Sequence, residues 1–137
     1  MKMVKSIVVV LISLLTVSLA IGQTTSNCDK VYDYVENLPV YDGSPNAIFT
    51  FIENNLNPII TEAKSSGRQV SFSRLILTIN KTDQISNIEF IDFEGDEIVK
   101  KKLIQKIKAM KNWKSATKEG EPICCKYFLP FHCVNMD

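Results

Sequence analysis

Several residue types on which enzyme sites and nucleic-acid interfaces depend are scarce in this sequence. His132 is the only histidine and lies five residues from the C-terminus, so a serine or cysteine relay lacks a well-placed base. The five glycines are scattered and form no phosphate-binding loop. Sixteen basic residues nearly balance fifteen acidic ones. The composition therefore predicts no catalytic residue, no metal and no cofactor.

Long apolar runs are also absent except near the N-terminus. Lys2 and Lys5 precede an apolar run that is followed by small residues ending at Gly22. This order is typical of a secretory signal peptide, residues 1–22. Cleavage after Gly22 is favoured over cleavage after Ala20, and it leaves 115 of the 137 residues. Because the run nearly reaches the roughly 17 to 25 residues that span a bilayer, retention as an inner-membrane anchor is the alternative.

The exported part is expected to be one small domain, because a chain of this length holds a single core. Residues 23–39 are interpreted as an irregular leader, residues 40–133 as the folded domain and residues 134–137 as a tail. Without Lys2 and Lys5, fourteen basic residues face fifteen acidic ones, so no nucleic-acid partner is expected. Contact with a membrane is expected only through an uncleaved signal segment.

The first structured element is predicted to be an amphipathic helix. Ser44 is a suitable N-cap, and Pro45 fits the first helical position. Pro58 is expected to end the helix, which makes residues 61–67 a polar connection. The apolar residues that recur at helical spacing are Ile48, Phe49, Ile52 and Leu56.

A hairpin, a second helix and a final strand are predicted to follow. Residues 69–80 and 85–92 are rich in β-branched residues and flank a polar turn, which is typical of an antiparallel hairpin. Asp96 is the expected cap of the second helix. Residues 118–122 form a turn before the last strand, residues 123–131. The apolar stripe of the second helix consists of Val99, Leu103, Ile107 and Met110.

These elements predict an α+β fold, in which the two helices pack on one face of a small three-stranded antiparallel sheet. Each helix has one apolar side that needs a surface to cover. A tight turn makes the first two strands antiparallel, and the second helix lets the third strand return to the same sheet. Trp113 directly follows the second helix, where its ring is expected to seal the helix end against the sheet.

The four cysteines lie in the exported part, where disulfides form. On an extended strand Cys125 and Cys133 would be about 26 Å apart, too far for a bridge. Cys28 is therefore the predicted partner of Cys124, Cys125 or Cys133. A zinc site that adds His132 is the alternative, although neighbouring strand residues point to opposite faces. This alternative would make the chain a thiol-active or metal-binding envelope protein.

The order of these elements resembles the C-terminal domain of TonB, in particular its stand-alone periplasmic relatives, over residues 40–131. The most specific piece is MKNWKSATKEGEPI, which is similar to the family's helix end, tryptophan and Gly-Pro turn before the last strand. Trp113, Gly120 and Pro122 occupy those structural positions. FIENNLNP is similar to the family's helix that runs into a proline, and LILTINKTDQISNIEF is similar to its central hairpin.

This resemblance implies a protein-binding module rather than an enzyme. TonB domains bind an extended segment of an outer-membrane receptor by adding it to a sheet edge, where strand N–H and C=O groups are unpaired. The implied edge is the final strand, residues 123–131. The expected partner is such a receptor segment or another envelope protein, in connection with TonB-dependent transport, and a homodimer is a second option. The implied partner contacts are Ile123, Cys125, Tyr127 and Leu129.

Overall fold

A computed structural model describes residues 28–134, which form an α+β fold of two helices and nine strands. The predicted signal peptide, residues 1–22, lies outside the described residues. Within them, no helix is long and apolar enough to cross a membrane.

The first helix, α1, has three consecutive segments: Ala47–Phe51, a π-helical segment Ile52–Leu56, and Asn57–Ser65. The second helix, α2, is Glu97–Lys108. The strands are β1 Val31–Tyr32, β2 Val40–Tyr41, β3 Val70–Ser71, β4 Arg74–Ile79, β5 Ile85–Ile91, β6 Glu94–Gly95, β7 Trp113–Lys114, β8 Ala116–Lys118 and β9 Glu121–Leu129.

The main sheet has five strands, so the prediction of a three-stranded sheet was wrong. Its order is β1-β9-β4-β5, and β8 also pairs with β9. The three long strands β4, β5 and β9 are antiparallel, as the sequence predicts, whereas β1 pairs with β9 in parallel. Two short ribbons, β2–β7 and β3–β6, complete the pairing. The additional strands are two or three residues long and show no periodic pattern that a sequence could reveal.

Both helices pack against one face of the main sheet, and together they form one hydrophobic core. The predicted α2 stripe is confirmed, because its four residues are all buried. Leu75, Leu77 and Ile79 alternate along β4, so their side chains lie on the same face, and they join the helices in that core. Trp113 belongs to the same core and is 5% exposed. The helix residues buried in this core are Ile48, Ile52, Leu56, Ile60, Ala63, Val99, Leu103 and Ile107.

Helix α1 continues past Pro58, so the predicted end near Leu56 and the polar connection at residues 61–67 were wrong. A proline inside a regular helix lacks the N–H donor and collides with the carbonyl four residues earlier. The π-helical segment before it widens the turn: the N–H of Asn57 donates to the carbonyl oxygen of Ile52, five residues back. α1 then ends at Ser65, and Gly67, two residues further on, has left-handed backbone that closes a Schellman motif.

Local side chains fix the turns and caps around the sheet. Asp96 caps α2 as predicted, because its carboxylate accepts hydrogen bonds from the N–H groups of Ile98 and Val99. In the β4–β5 hairpin, the buried Asn80 side-chain oxygen accepts from the N–H groups of Thr82 and Gln84. The β8–β9 turn has positive φ at Glu119 and Gly120, which a two-residue type I′ hairpin requires, and Pro122 follows inside β9.

Candidate protein-binding edge

The C-terminal half of β9 has one side without a strand partner. On its inner side, β4 pairs with residues 125–129. On the opposite side, β1 pairs only with Cys124 and Cys125. β8 pairs with residues 121–123 and does not reach residues 126–129. Among residues 28–134, no strand therefore pairs with the outer side of residues 126–129. The unpaired edge is bounded on one end by β1.

The chain turns away from this edge directly after β1. The Asp33 carboxylate lies 2.7 Å from the ammonium group of Lys126, and this is the first contact beyond the strand pairing. Val35 is then buried in a small cluster with Ala116 and Cys125. The carbonyl oxygen of Asn37 accepts a hydrogen bond from Thr117 in β8. The segment after β1 is thus directed toward β8 and leaves the outer side of residues 126–129 open.

An apolar groove of about 570 Å³ lies beside the unpaired edge. Four of the seven large apolar side chains that are exposed in the described part line this groove: Tyr34 is 74% exposed, Phe49 56%, Phe128 48% and Leu38 43%. Exposed apolar residues that cluster in this way mark interaction sites more often than single ones do. Edge and groove together form the candidate site.

Helix α1 places Phe49 in the groove because of its periodicity. Ile48 points into the core and is almost fully buried, while Phe49, one residue further around the helix, is exposed. The sequence analysis assigned both residues to the buried stripe, which was wrong for Phe49. A Phe held at the start of a helix, next to Pro45 and Ile48, presents a fixed apolar surface to the groove.

A second cavity of about 710 Å³ adjoins the groove and shares three lining residues with it, Leu38, Pro45 and Tyr127. Its other walls are more polar and include Glu36 and Lys114, which carry opposite charges. The candidate site therefore continues from an apolar half into a mixed half. Tyr127 lies where the two halves meet.

An aromatic stack supports this junction from the core side. The ring of Tyr127 packs against Trp113 at 5.0 Å between centroids, and Trp113 packs against Tyr41 at 5.2 Å. Tyr41 in turn contacts Phe51 of α1. Burial raises the pKa of Tyr127. Rings that pack against one another restrict each other's motion, which reduces the entropy lost when side chains at the site become ordered on binding.

The predicted partner contacts are distributed differently from what the resemblance implies. The expectation that all of residues 123–131 form a free edge was wrong, since β1 pairs with Cys124 and Cys125. Cys125 and Leu129 are buried, and of the four predicted contacts only Tyr127 lines the groove. The sequence analysis did not identify the groove residues outside the final strand, Tyr34, Leu38, Pro45 and Phe49.

The cysteines are divided between one disulfide and two buried thiols. Cys28 bonds to Cys124, which confirms Cys28 as the partner of one of the three C-terminal cysteines. The thiol of Cys125 donates to the carbonyl oxygen of Lys126, and burial raises its pKa, with a smaller contribution from Asp33. The thiol of Cys133 donates to the carbonyl oxygen of Val70. In residues 28–134, no group of three His, Cys, Asp or Glu residues has a geometry that holds a metal ion.

Comparisons with known proteins add no relative to this description. No protein-family model matches the chain, and neither curated proteins nor solved structures gave a match. The resemblance to the TonB C-terminal domain therefore rests on the sequence motifs alone.

Proposed function

We propose that this protein is an exported interaction module of the TonB C-terminal type, which binds an extended segment of another envelope protein. The segment adds as a strand to the outer edge of β9 at residues 126–129. The observation that carries the proposal is the position of this unpaired edge beside the exposed apolar groove. Edge N–H and C=O groups supply affinity in strand addition, and adjoining pockets supply selectivity.

The geometry of the groove suggests the character of the bound segment. Side chains of an added strand alternate between the two faces of the sheet. One set would enter the groove between Leu38 and Phe49, and the other would lie beside Phe128. A segment with large apolar residues at alternate positions fits this arrangement. The partner is accordingly proposed to be an outer-membrane receptor segment or another periplasmic protein, with a connection to TonB-dependent transport, and no enzymatic activity is proposed.

The thiol-active alternative receives less support. Reactive cysteines are accessible and have lowered pKa values, because the thiolate is the nucleophile. Cys125 and Cys133 are both buried, and the pKa of Cys125 is raised. The remaining two cysteines are bonded to each other. The thiols therefore fit structural roles better than catalytic ones.

Peptide titration tests the proposed function. Fluorescent peptides taken from the N-terminal plug segments of outer-membrane receptors would be titrated with the exported form of the protein. We expect binding by at least one peptide, and we expect Phe49→Ala to weaken it about tenfold, as the loss of a buried aromatic anchor does.

The matched control is Ile98→Ala, because Ile98 is 55% exposed on the other helix and lies outside the groove. This variant should bind like the unmodified protein. Absence of binding by every peptide at about 1 mM, which corresponds to only about 4 kcal/mol of binding free energy, would contradict the proposal. So would an equal loss of affinity in both variants.

Cleavage of the signal segment is a separate part of the proposal. N-terminal sequencing of the exported product should find Gln23 as the first residue. A product that still begins at Met1 would support the alternative of an inner-membrane anchor.

A further inference from the structure

The Cys28–Cys124 disulfide attaches the shortest element of the main sheet to β9, directly beside the unpaired edge. β1 consists of only Val31 and Tyr32, which pair with Cys124 and Cys125. The sequence separation of the disulfide is 96 residues. Because β1 covers the outer side of β9 up to Cys125, it determines where the accessible edge begins.

Few other contacts hold β1 in place. The Asp33–Lys126 ion pair is exposed, with 75% of the Asp33 side chain accessible, and such pairs contribute little. Val31 is exposed. Tyr32 is partly buried beneath the ammonium groups of Lys30 and Lys118, and in the described part its one apolar packing partner is the small cluster around Val35. Two paired residues do not form a stable strand by themselves. The disulfide is therefore the main attachment of residues 28–33.

A firmer attachment follows immediately along the chain. Val35 is buried against Ala116 and Cys125, and Asn37 bridges to Thr117 in β8. Loss of the disulfide would thus release residues 28–33 while Val35 keeps the next segment in place. The released length is confined to the part of the chain that covers Cys124 and Cys125.

We propose that the Cys28–Cys124 disulfide is a redox-controlled strap that sets the length of the partner-binding edge. This inference rests on the proposed function. With the disulfide formed, the partner strand has residues 126–129 available; after reduction, β1 leaves and the available edge extends to residues 124–129. The oxidised protein therefore binds its partner segment more weakly than the reduced protein.

The reductant would be a dithiol protein of the same compartment. Its thiolate attacks the sulfur of Cys28, which is the less buried of the two cysteines, and the sulfur of Cys124 leaves and takes up a proton. The second thiol of the reductant then displaces Cys28, which takes up the second proton, and the reductant becomes a disulfide. Two electrons and two protons are transferred in total. The thiol of Cys125 takes no part, since neighbouring strand residues point to opposite faces.

Hydrogen exchange on the full exported chain tests the strap without any partner. Mass spectrometry would compare the oxidised protein with protein reduced by dithiothreitol. We expect the amides of residues 28–34 to exchange about tenfold faster or more after reduction, as expected for local release, while those of β4 stay protected. Unchanged exchange at residues 28–34, or loss of protection in β4 as well, would overturn the inference.

Two variants separate the strap from other effects of the reductant. The double variant Cys28→Ser, Cys124→Ser should show fast exchange at residues 28–34 with or without dithiothreitol. Cys133→Ser retains the disulfide and a hydroxyl donor near Val70, so it should respond to the reductant as the unmodified protein does. A response of the double variant to dithiothreitol would contradict the assignment.

Peptide binding is the second measurement. The plug peptide that binds best should bind about tenfold more tightly to the reduced protein, because two more residues of β9 can form backbone hydrogen bonds with it. Equal affinity in both states would overturn the strap. If no peptide binds in either state, the proposed function fails, whereas the exchange experiment still decides whether the disulfide holds β1.

Discussion

The carboxylate of Asp83 accepts a hydrogen bond of 2.7 Å from the backbone N–H of Ser115. Asp83 lies in the turn between β4 and β5, and Ser115 lies between β7 and β8. The bond thus attaches the tip of the central hairpin to the segment that leads into β8. The backbone hydrogen bond from Ser115 is the main cause that lowers the pKa of Asp83, and the charge of Lys114 makes a smaller contribution.

This bond makes part of the stability depend on pH. Because the pKa of Asp83 is lower in the folded state, its stabilisation is present above the ordinary pKa of about 3.9 and disappears as the pH falls through the folded value. Asp83→Asn retains an acceptor and tolerates the positive φ. We expect this variant to be less stable at pH 7 by less than about 1 kcal/mol, because Asp83 is exposed and water screens the bond.

Urea denaturation at pH 7 and pH 3 measures this difference. The stability gap between Asp83→Asn and the unmodified protein should be smaller at pH 3 than at pH 7. Asp29→Asn, at another exposed acidic position, is the control for a general charge effect. A gap of the same size at both pH values would show that the charge of Asp83 does not stabilise the fold.

Gly95 is a position where the backbone excludes any side chain. Its φ is 132°, and an added Cβ would overlap the backbone carbonyl oxygen of Gln69 on the neighbouring strand segment. We expect Gly95→Ala to destabilise the protein by about 2 kcal/mol or more, since β3 and β6 must separate. Gly67→Ala is the control, because Gly67 also has positive φ but has open space around it. That variant should lose only about 1 kcal/mol, and equal losses in thermal unfolding would argue against the steric explanation.

Trp113 combines tight packing with an unpaired polar group. Its indole N–H is buried and has no hydrogen-bond partner among the described residues. Trp113→Ala should cost about 3 to 5 kcal/mol, as large core truncations do. Trp113→Phe keeps a ring between Tyr41 and Tyr127 and removes the unpaired donor, so it should cost clearly less.

Because Trp113 is the only tryptophan, the unfolding of these variants should be followed by circular dichroism rather than by fluorescence. If Trp113→Phe is as unstable as Trp113→Ala, the full volume of the indole, and not the contact between rings, accounts for the stability that Trp113 contributes.

Local signals in the sequence were sufficient for the elements that depend on nearby residues. Asp96 and the stripe ending at Met110 predicted α2, because cap and stripe lie within one segment. The hairpin was also predicted, although its turn has no glycine. The Asn80 side-chain oxygen accepts backbone hydrogen bonds within the turn. Asp83 adopts the positive φ that a glycine would otherwise supply. Helix α1 was predicted too short, because the rule that proline ends a helix does not account for a π-helical turn.

The candidate site was harder to predict because it combines residues that are far apart in the sequence. β1 pairs with β9 across more than ninety residues, and a two-residue strand has no period. The final strand was therefore expected to be a free edge over its whole length. Tyr34 and Phe49 each look like ordinary apolar residues in the sequence, and only the fold brings them to the same groove.

The position of β9 has a consequence for the timing of folding. β9, the last strand of the described residues, lies between β4 and β1, so the main sheet lacks its middle until residue 129 is available. Contacts between distant parts of a chain form slowly, since the chain must first close a long loop. β1 and β4 accordingly stay without their shared partner until β9 has been added. A fragment that stops before β9 would therefore display no finished main sheet.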